Sequence, residues 1–143
     1  MATAEQLVSV KGESVAWLPP SATVLDAARL MNDRHIGSVV VMDDGHLVGI
    51  FTERDVLRRI VAAQRDPGTT RLSEVMTAPV AVAAPYTLLD ELRAVVRERR
   101  IRHVPVVDGE HVLGMISIGD LNRIEQQVQQ QTIMYLEQFI STT

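Results

Sequence analysis

Two stretches of the chain carry the same signature: Gly49-Ile-Phe-Thr-Glu-Arg-Asp55 and Gly114-Met-Ile-Ser-Ile-Gly-Asp120. The shared spacing is Gly-x-x-Thr/Ser-x-x-Asp, and each residue type in it suggests chemistry. Glycine lets the backbone come close to another group. A hydroxyl where a helix begins, beside N–H groups without an intrahelical partner, is a ready site for a phosphate oxygen. A carboxylate three residues on offers acceptors that suit the hydroxyls of a ribose. The same spacing is also that of a capping box, which closes a helix start and binds nothing. One copy would favour the box. Two copies in register, each following a buried-strand pattern and a hairpin signal, favour a nucleotide site.

The copies belong to a larger repeat. Residues 7–58 lie over residues 72–123 at a constant offset of 65, and 14 of those 52 positions are identical. Chance at ordinary composition would give roughly three or four. A repeat of this size is a whole folding unit, so two similar halves should pack together and leave two similar clefts. Neither half alone has enough residues for a secure core, so the two should fold as one body. The expected segments are 1–62 (first repeat with an N-terminal segment), 63–70 (linker), 71–124 (second repeat) and 125–143 (C-terminal helix).

Each half reads as strand, helix, strand, hairpin, strand, helix. Short extended leaders at residues 14–17 and 79–82 run toward Pro20 and Pro85, which restrain the chain before them. Apolar residues then recur at helical spacing: Val24, Ala27, Ala28, Leu30 and Met31 in one half, Leu88, Leu89, Leu92, Val95 and Val96 in the other. Thr23 and Thr87 stand as N-caps before these runs. The β-branched runs 38–42 and 103–107 suit buried strands. Asp43-Asp-Gly45 and Asp108-Gly109 supply hairpin turns. The tail 121–140 continues as a helix with a stripe at Leu121, Ile124, Val128, Thr132, Tyr135 or Leu136, and Phe139. That stripe either packs on its own domain or reaches across a partner subunit; its extension past the repeat favours the partner.

Composition narrows the function. There are no cysteines, so disulfides, thiolate metal sites and cysteine nucleophiles are excluded. No apolar run approaches 18 residues and no signal-peptide pattern is present, so a cytoplasmic, non-membrane protein is expected. The net charge of −4 argues against a general nucleic-acid binder. No paired histidines, Gly-x-Ser-x-Gly or P-loop occur, which argues against an enzyme and against a metal site.

At this point a family resemblance becomes specific. The segments TVLDAARLMNDRHIGSVVVMDDGHLVGIFTERDVL and TLLDELRAVVRERRIRHVPVVDGEHVLGMISIGDL, with VMTAPVAVAAP leading into the second, resemble a tandem pair of cystathionine-β-synthase (CBS) domains of the stand-alone bacterial kind. The same regulatory module is seen in the AMP-activated kinase γ subunit and in IMP dehydrogenase. The resemblance implies an α/β sandwich of two repeats related by a pseudo-two-fold axis. It also implies a disc-like homodimer, and two clefts for AMP, ADP, ATP, NAD or S-adenosylmethionine. Carried over by position, Thr52 and Ser117 would contact phosphate, and Asp55 and Asp120 would hold ribose hydroxyls. The leaders, around residues 15–17 and 77–82, would offer backbone hydrogen bonds to the base, with Trp17, Thr77, Val80 and Val82 as the contact positions. Ile36 and Ile101 would wall the base. The first half departs from the pattern: Val40 stands where the second half has Pro105, and Gly37-Ser38 replaces Arg102-His103. Unequal clefts are therefore expected.

A local charge feature agrees with that asymmetry. Residues 93–103 carry five arginines and one glutamate, a local +4. Arg93 and Arg97 read as a solvated helix face. Arg102 and His103, beside a cleft-lining strand, read as phosphate contacts. Trp17, the only tryptophan, could stack on a base but more simply packs against the helices. The reading that results is a non-enzymatic nucleotide sensor. A ligand-free structural oligomer and a nucleic-acid binder are the alternatives.

Overall fold

The computed structural model describes residues 2–141. It contains the expected mixed α/β architecture, in which each half builds one small sheet flanked by helices. In the first half, α1 (Ala4–Lys11), β1 (Trp17–Leu18), α2 (Val24–Arg34), β2 (Ser38–Asp43) and β3 (His46–Thr52) follow one another. Then α3 (Glu53–Asp55) widens into a π-helical stretch, Val56–Val61. The second half runs α4 (Leu72–Val75), α5 (Leu89–Arg99), β4 (His103–Asp108), β5 (His111–Ser117) and α6 (Ile118–Ser141).

The sheets repeat each other down to their irregularities. β2 and β3 pair antiparallel with a bulge between Val41 and Met42; β4 and β5 do so with a bulge between Val106 and Val107, the same place in the repeat. β1 adds a parallel edge, Trp17 opposite Val40. In the second half that edge shrinks to a single parallel bridge from Ala83 to Val106. The first hairpin turns on Asp44 and Gly45, both at positive φ, as a type I′ turn requires. The second turns on Gly109 at φ 62°.

Two apolar cores result. Val24, Ala27, Val39, Val41 and Phe51 centre the first; Leu92, Val96, Val104, Val106 and Ile116 centre the second. The leading helices are exchanged between them. Ala4, Leu7 and Val8 of α1 pack in the second core, although the sequence groups residues 2–11 with the first repeat. Leu72, Val75 and Met76, from α4 and its end, pack in the first. The exchange is what makes two under-sized halves one body.

This exchange also explains a helix start that sequence spacing misplaces. Thr23 caps α2 as expected, accepting from the Asp26 N–H at 3.1 Å in a full capping box. Thr87 does not cap α5. Its hydroxyl accepts from the Ala84 N–H at 3.2 Å within the preceding turn, and the helix starts after Leu88. The Leu89 N–H is satisfied instead by the carbonyl of Ala2, 3.0 Å away at the far N-terminus. The linker plays the matching part for α2: the Thr70 and Pro67 carbonyls accept from the Val24 and Leu25 N–H groups at 2.9 and 3.0 Å.

Of the α5 arginines, Arg97 is exposed as expected. Arg93 is not a solvated residue. It is half-buried, bonds Asp90 at 2.8 Å and reaches the Leu121 carbonyl, tying α5 to α6.

Candidate functional site

Both Gly-x-x-Thr/Ser-x-x-Asp motifs end a strand and start a helix, as their spacing suggests. Locally both are capping boxes. The Asp55 N–H donates to the Thr52 hydroxyl at 3.2 Å, and the Thr52 N–H donates to the Asp55 carboxylate at 3.0 Å. The Asp120 N–H donates to the Ser117 hydroxyl at 3.2 Å, and the Ser117 N–H donates back at 2.8 Å. The box and a binding site are not exclusive, because a box holds a carboxylate and a hydroxyl at a fixed place on a cleft wall.

The motif glycines permit a close approach, and its partner is another part of the chain. A Cβ on Gly49 would collide with the Met76 side chain, and one on Gly114 with that of Val8. The close approach they permit is that of the exchanged helices, not of a ligand.

Two of the cavities where the halves meet are lined by the motif residues. The first, 440 Å³, is walled by residues 13–16 and 34–38 of the first half and by Ser117, Asp120 and Arg123 of the second. The second, 500 Å³, takes Thr52, Arg54 and Asp55 from the first half and Thr77, Arg100 and Ile101 from the second. Both volumes fall in the range of small-molecule sites, about 300–1,000 Å³. Each cleft thus sets the carboxylate of one half opposite the leader and isoleucine wall of the other. Asp120 and Ser117 share a cleft with Val15 and Ile36; Asp55 and Thr52 share one with Thr77 and Ile101.

The family-model comparison decides the identity: the CBS domain model matches residues 9–62 and again 72–126. The chain is a tandem CBS-domain pair. It is 35% identical over 107 residues to the CBS domain-containing protein YhcV of Bacillus subtilis, covering 75% of this chain and 76% of that protein. A CBS-domain protein of Burkholderia ambifaria assigned to signal transduction has the same fold. There the identity is 38% and the TM-score 0.81, over 85% of this chain and 92% of that one. A CBS-domain protein of Agrobacterium tumefaciens matches at 32% identity and TM-score 0.81, over 87% of this chain and 99% of its own. CBS pairs are regulatory, signal-transduction modules. No helix among the described residues is long and apolar enough to cross a membrane.

Three residues expected at the CBS clefts line neither of them: Trp17, Val80 and Val82. Strand alternation gives the reason. Ala16 and Ala83 point inward and are buried, so the neighbours Trp17 and Val82 point outward. Trp17 is 57% exposed and lines a third cavity, of 550 Å³, together with Val40, Glu110 and His111. Thr77 lines the second cleft, but its backbone is already taken: its N–H and carbonyl both pair with Ile50, at 2.8 and 3.0 Å. Its side chain and the second lone pair of its carbonyl are left to meet a ligand.

Arg102 and His103 line both CBS clefts. They therefore do not distinguish one from the other in the way the sequence asymmetry suggested. The replacement Gly37-Ser38 has a steric cause instead. A Cβ at Gly37 would stand 3.2 Å from His103 Nε2 and 3.1 Å from the Glu53 carboxylate. The glycine makes room for the histidine between the halves.

Burial holds the His103 imidazole below its ordinary pKa, against the pull of Glu53 and Asp120, with Lys11 and Arg102 reinforcing the drop. Its Nδ1 is buried without a hydrogen-bond partner among the described residues. Since the folded protein binds this proton less readily than the unfolded chain, stability falls as pH drops below about 6.5 toward the folded value. Urea unfolding of wild type and His103→Gln across pH 7 to 5 is expected to show the variant gaining on wild type as acid is added. A difference that stays constant with pH would contradict this account.

Sequence reasoning missed several cleft residues. Lys11, Arg34, Glu53 and Arg123 all face the first cleft. The signal for Lys11 was present: it is the chain's single lysine, and the repeat sets it opposite the apolar Met76.

Proposed function

We propose that this CBS pair is a non-enzymatic sensor that binds an adenosine-containing nucleotide in the two clefts between its halves. The observation that carries this reading is the crossed construction of the clefts, in which the carboxylate comes from one half and the apolar wall from the other. A ligand spanning a cleft makes contacts only while the halves keep one relative position. It therefore biases their packing by its differential affinity. The ribose diol is assigned to Asp55 and Asp120, and the phosphate to Thr52, Ser117, Arg102 and the cations around them. Ile36 and Ile101 wall the base.

The charge balance suits a nucleotide. Lys11, Arg34, Arg102 and Arg123 stand against Glu13, Glu53 and Asp120 in the first cleft. Arg54, Arg100 and Arg102 stand against Glu53 and Asp55 in the second. Each cleft has one cation in excess, enough to favour a phosphate without a strong general field. A second copy of the chain is the proposed partner. Beyond Leu121 and Ile124, which serve the chain's own core, α6 exposes Val128, Tyr135 and Leu136, a stripe that a homodimer would cover.

Thermal unfolding with AMP, ADP, ATP, NAD and S-adenosylmethionine tests the reading. The true ligand raises the melting temperature in proportion to the logarithm of its concentration above Kd. Millimolar concentrations of all five leaving the midpoint unmoved would remove the proposal, and steady nucleotide turnover by pure protein would replace it with an enzyme.

A further inference from the structure

The two cleft carboxylates are alike in sequence and unlike in company. Asp55 accepts from the Thr52 N–H and hydroxyl, and among the described residues its ion pair is with Arg59 at 3.6 Å. Asp120 is closed in. Its Oδ2 accepts from Lys11 Nζ at 2.8 Å as well as from the Ser117 N–H, and its Oδ1 pairs with Arg123. Lys11 Nζ also donates to the Met115 carbonyl at 2.7 Å. The result is a carboxylate residue only 3% exposed.

Lys11 reaches this place because α1 is set differently from its counterpart. In the first half the side chain over the motif glycine is Met76, which the repeat aligns with Lys11. In the second half it is Val8, three residues earlier in its helix. The shift of almost one turn carries Lys11 past the glycine and into the cleft. A flexible ammonium with three donors then fills the acceptors that a ligand diol would need.

We propose that Lys11 is a built-in competitor for the diol position of the first cleft, and the residue that makes the two clefts unequal. A ligand hydroxyl that takes Asp120 must displace the ammonium. The displaced residue ends α1, so entry of a ligand is felt by a helix docked in the second core. Among the described residues Asp55 has only the more distant Arg59 in that place, so the second cleft fills first. This inference rests on nucleotide binding at the clefts, but the lysine contact can be tested without it.

Because the sequence has one lysine, the acylation rate of Lys11, read by peptide mass, reports the contact directly. Asp120→Asn should speed acylation several-fold over wild type, while Asp55→Asn, the same change in the other capping box, should leave it unchanged. Equal rates in all three proteins would overturn the closed contact whether or not any nucleotide binds. The second arm titrates AMP. Lys11→Met, which installs the residue found at position 76, is expected to tighten the weaker of two binding steps by about tenfold, the cost of breaking one charge-assisted hydrogen bond. A weaker first cleft in Lys11→Met would overturn the proposal by making Lys11 a ligand contact, and an unchanged one by making it a bystander. Absence of AMP binding in both proteins, with the acylation contrast intact, would count against nucleotide binding and not against the contact.

Discussion

Asp120→Ala is expected to be the most damaging single change at either cleft, lowering unfolding stability by about 2–4 kcal/mol. The contribution has two parts. Loss of the capping-box carboxylate at the third residue of α6 costs roughly 1 kcal/mol, because the Ser117 N–H loses its acceptor. The rest comes from Lys11 and Arg123, which lose a nearly buried counter-charge. Lys11 keeps the Met115 carbonyl and its side chain is 22% exposed, so the loss stays below the full cost of stranding a buried ion. Asp55→Ala removes the same box with only a distant cation and should cost about half as much. Urea unfolding of the two variants measures the difference, and equal losses would contradict the assigned contacts. Acid acts on the same group. Burial alone would push the Asp120 carboxyl up, but the hydrogen bonds from Lys11 and the Ser117 N–H outweigh it and hold it below the ordinary carboxylate range. Its contribution is therefore fully present above about pH 4 and is lost as pH falls through the folded value.

Gly114→Ala should destabilise the fold by about 1–3 kcal/mol through overpacking, without touching any polar group. The added methyl meets both γ carbons of Val8, and Val8 is β-branched and held in a helix, so it cannot swing aside. Relief requires α1 to lift from β5, which would also withdraw Lys11 from Asp120. Gly49→Ala makes the matching clash with Met76, whose unbranched thioether can adopt another rotamer, so its cost should be smaller. Adding Val8→Ala to Gly114→Ala should recover much of the loss, as expected for two residues in direct contact. A double variant no more stable than Gly114→Ala alone would show that the glycine serves something other than helix docking.

These two cases mark what could be read from the chain and what could not. Strands and hairpins were legible because β-branched runs and Asp-Gly turns are local signals. The pairing of Asp55 with Thr52 and of Asp120 with Ser117 was legible because a capping box lies within four residues. The exchange of α1 and α4 was not, since a glycine conserved between repeats does not say which distant side chain will cover it. The start of α5 was misplaced for the same reason: Ala2 satisfies the Leu89 N–H from across the fold. The outward turn of Trp17 was not legible from its residue type: strand alternation sets it away from the two motif clefts and onto a third cavity. The asymmetry at Gly37-Ser38 was legible, but its steric side was not. It is the space that His103 needs.

The central claim is that two clefts, each built from both halves, bind one nucleotide apiece. Equilibrium titration of AMP into wild type, Asp55→Asn and Asp120→Asn, with bound ligand counted per chain, tests it most directly. Two sites per chain in wild type and one in each variant, the remaining site keeping its affinity, is the predicted result. No binding to wild type at millimolar AMP, or loss of both sites together in either variant while it remains folded, would contradict it.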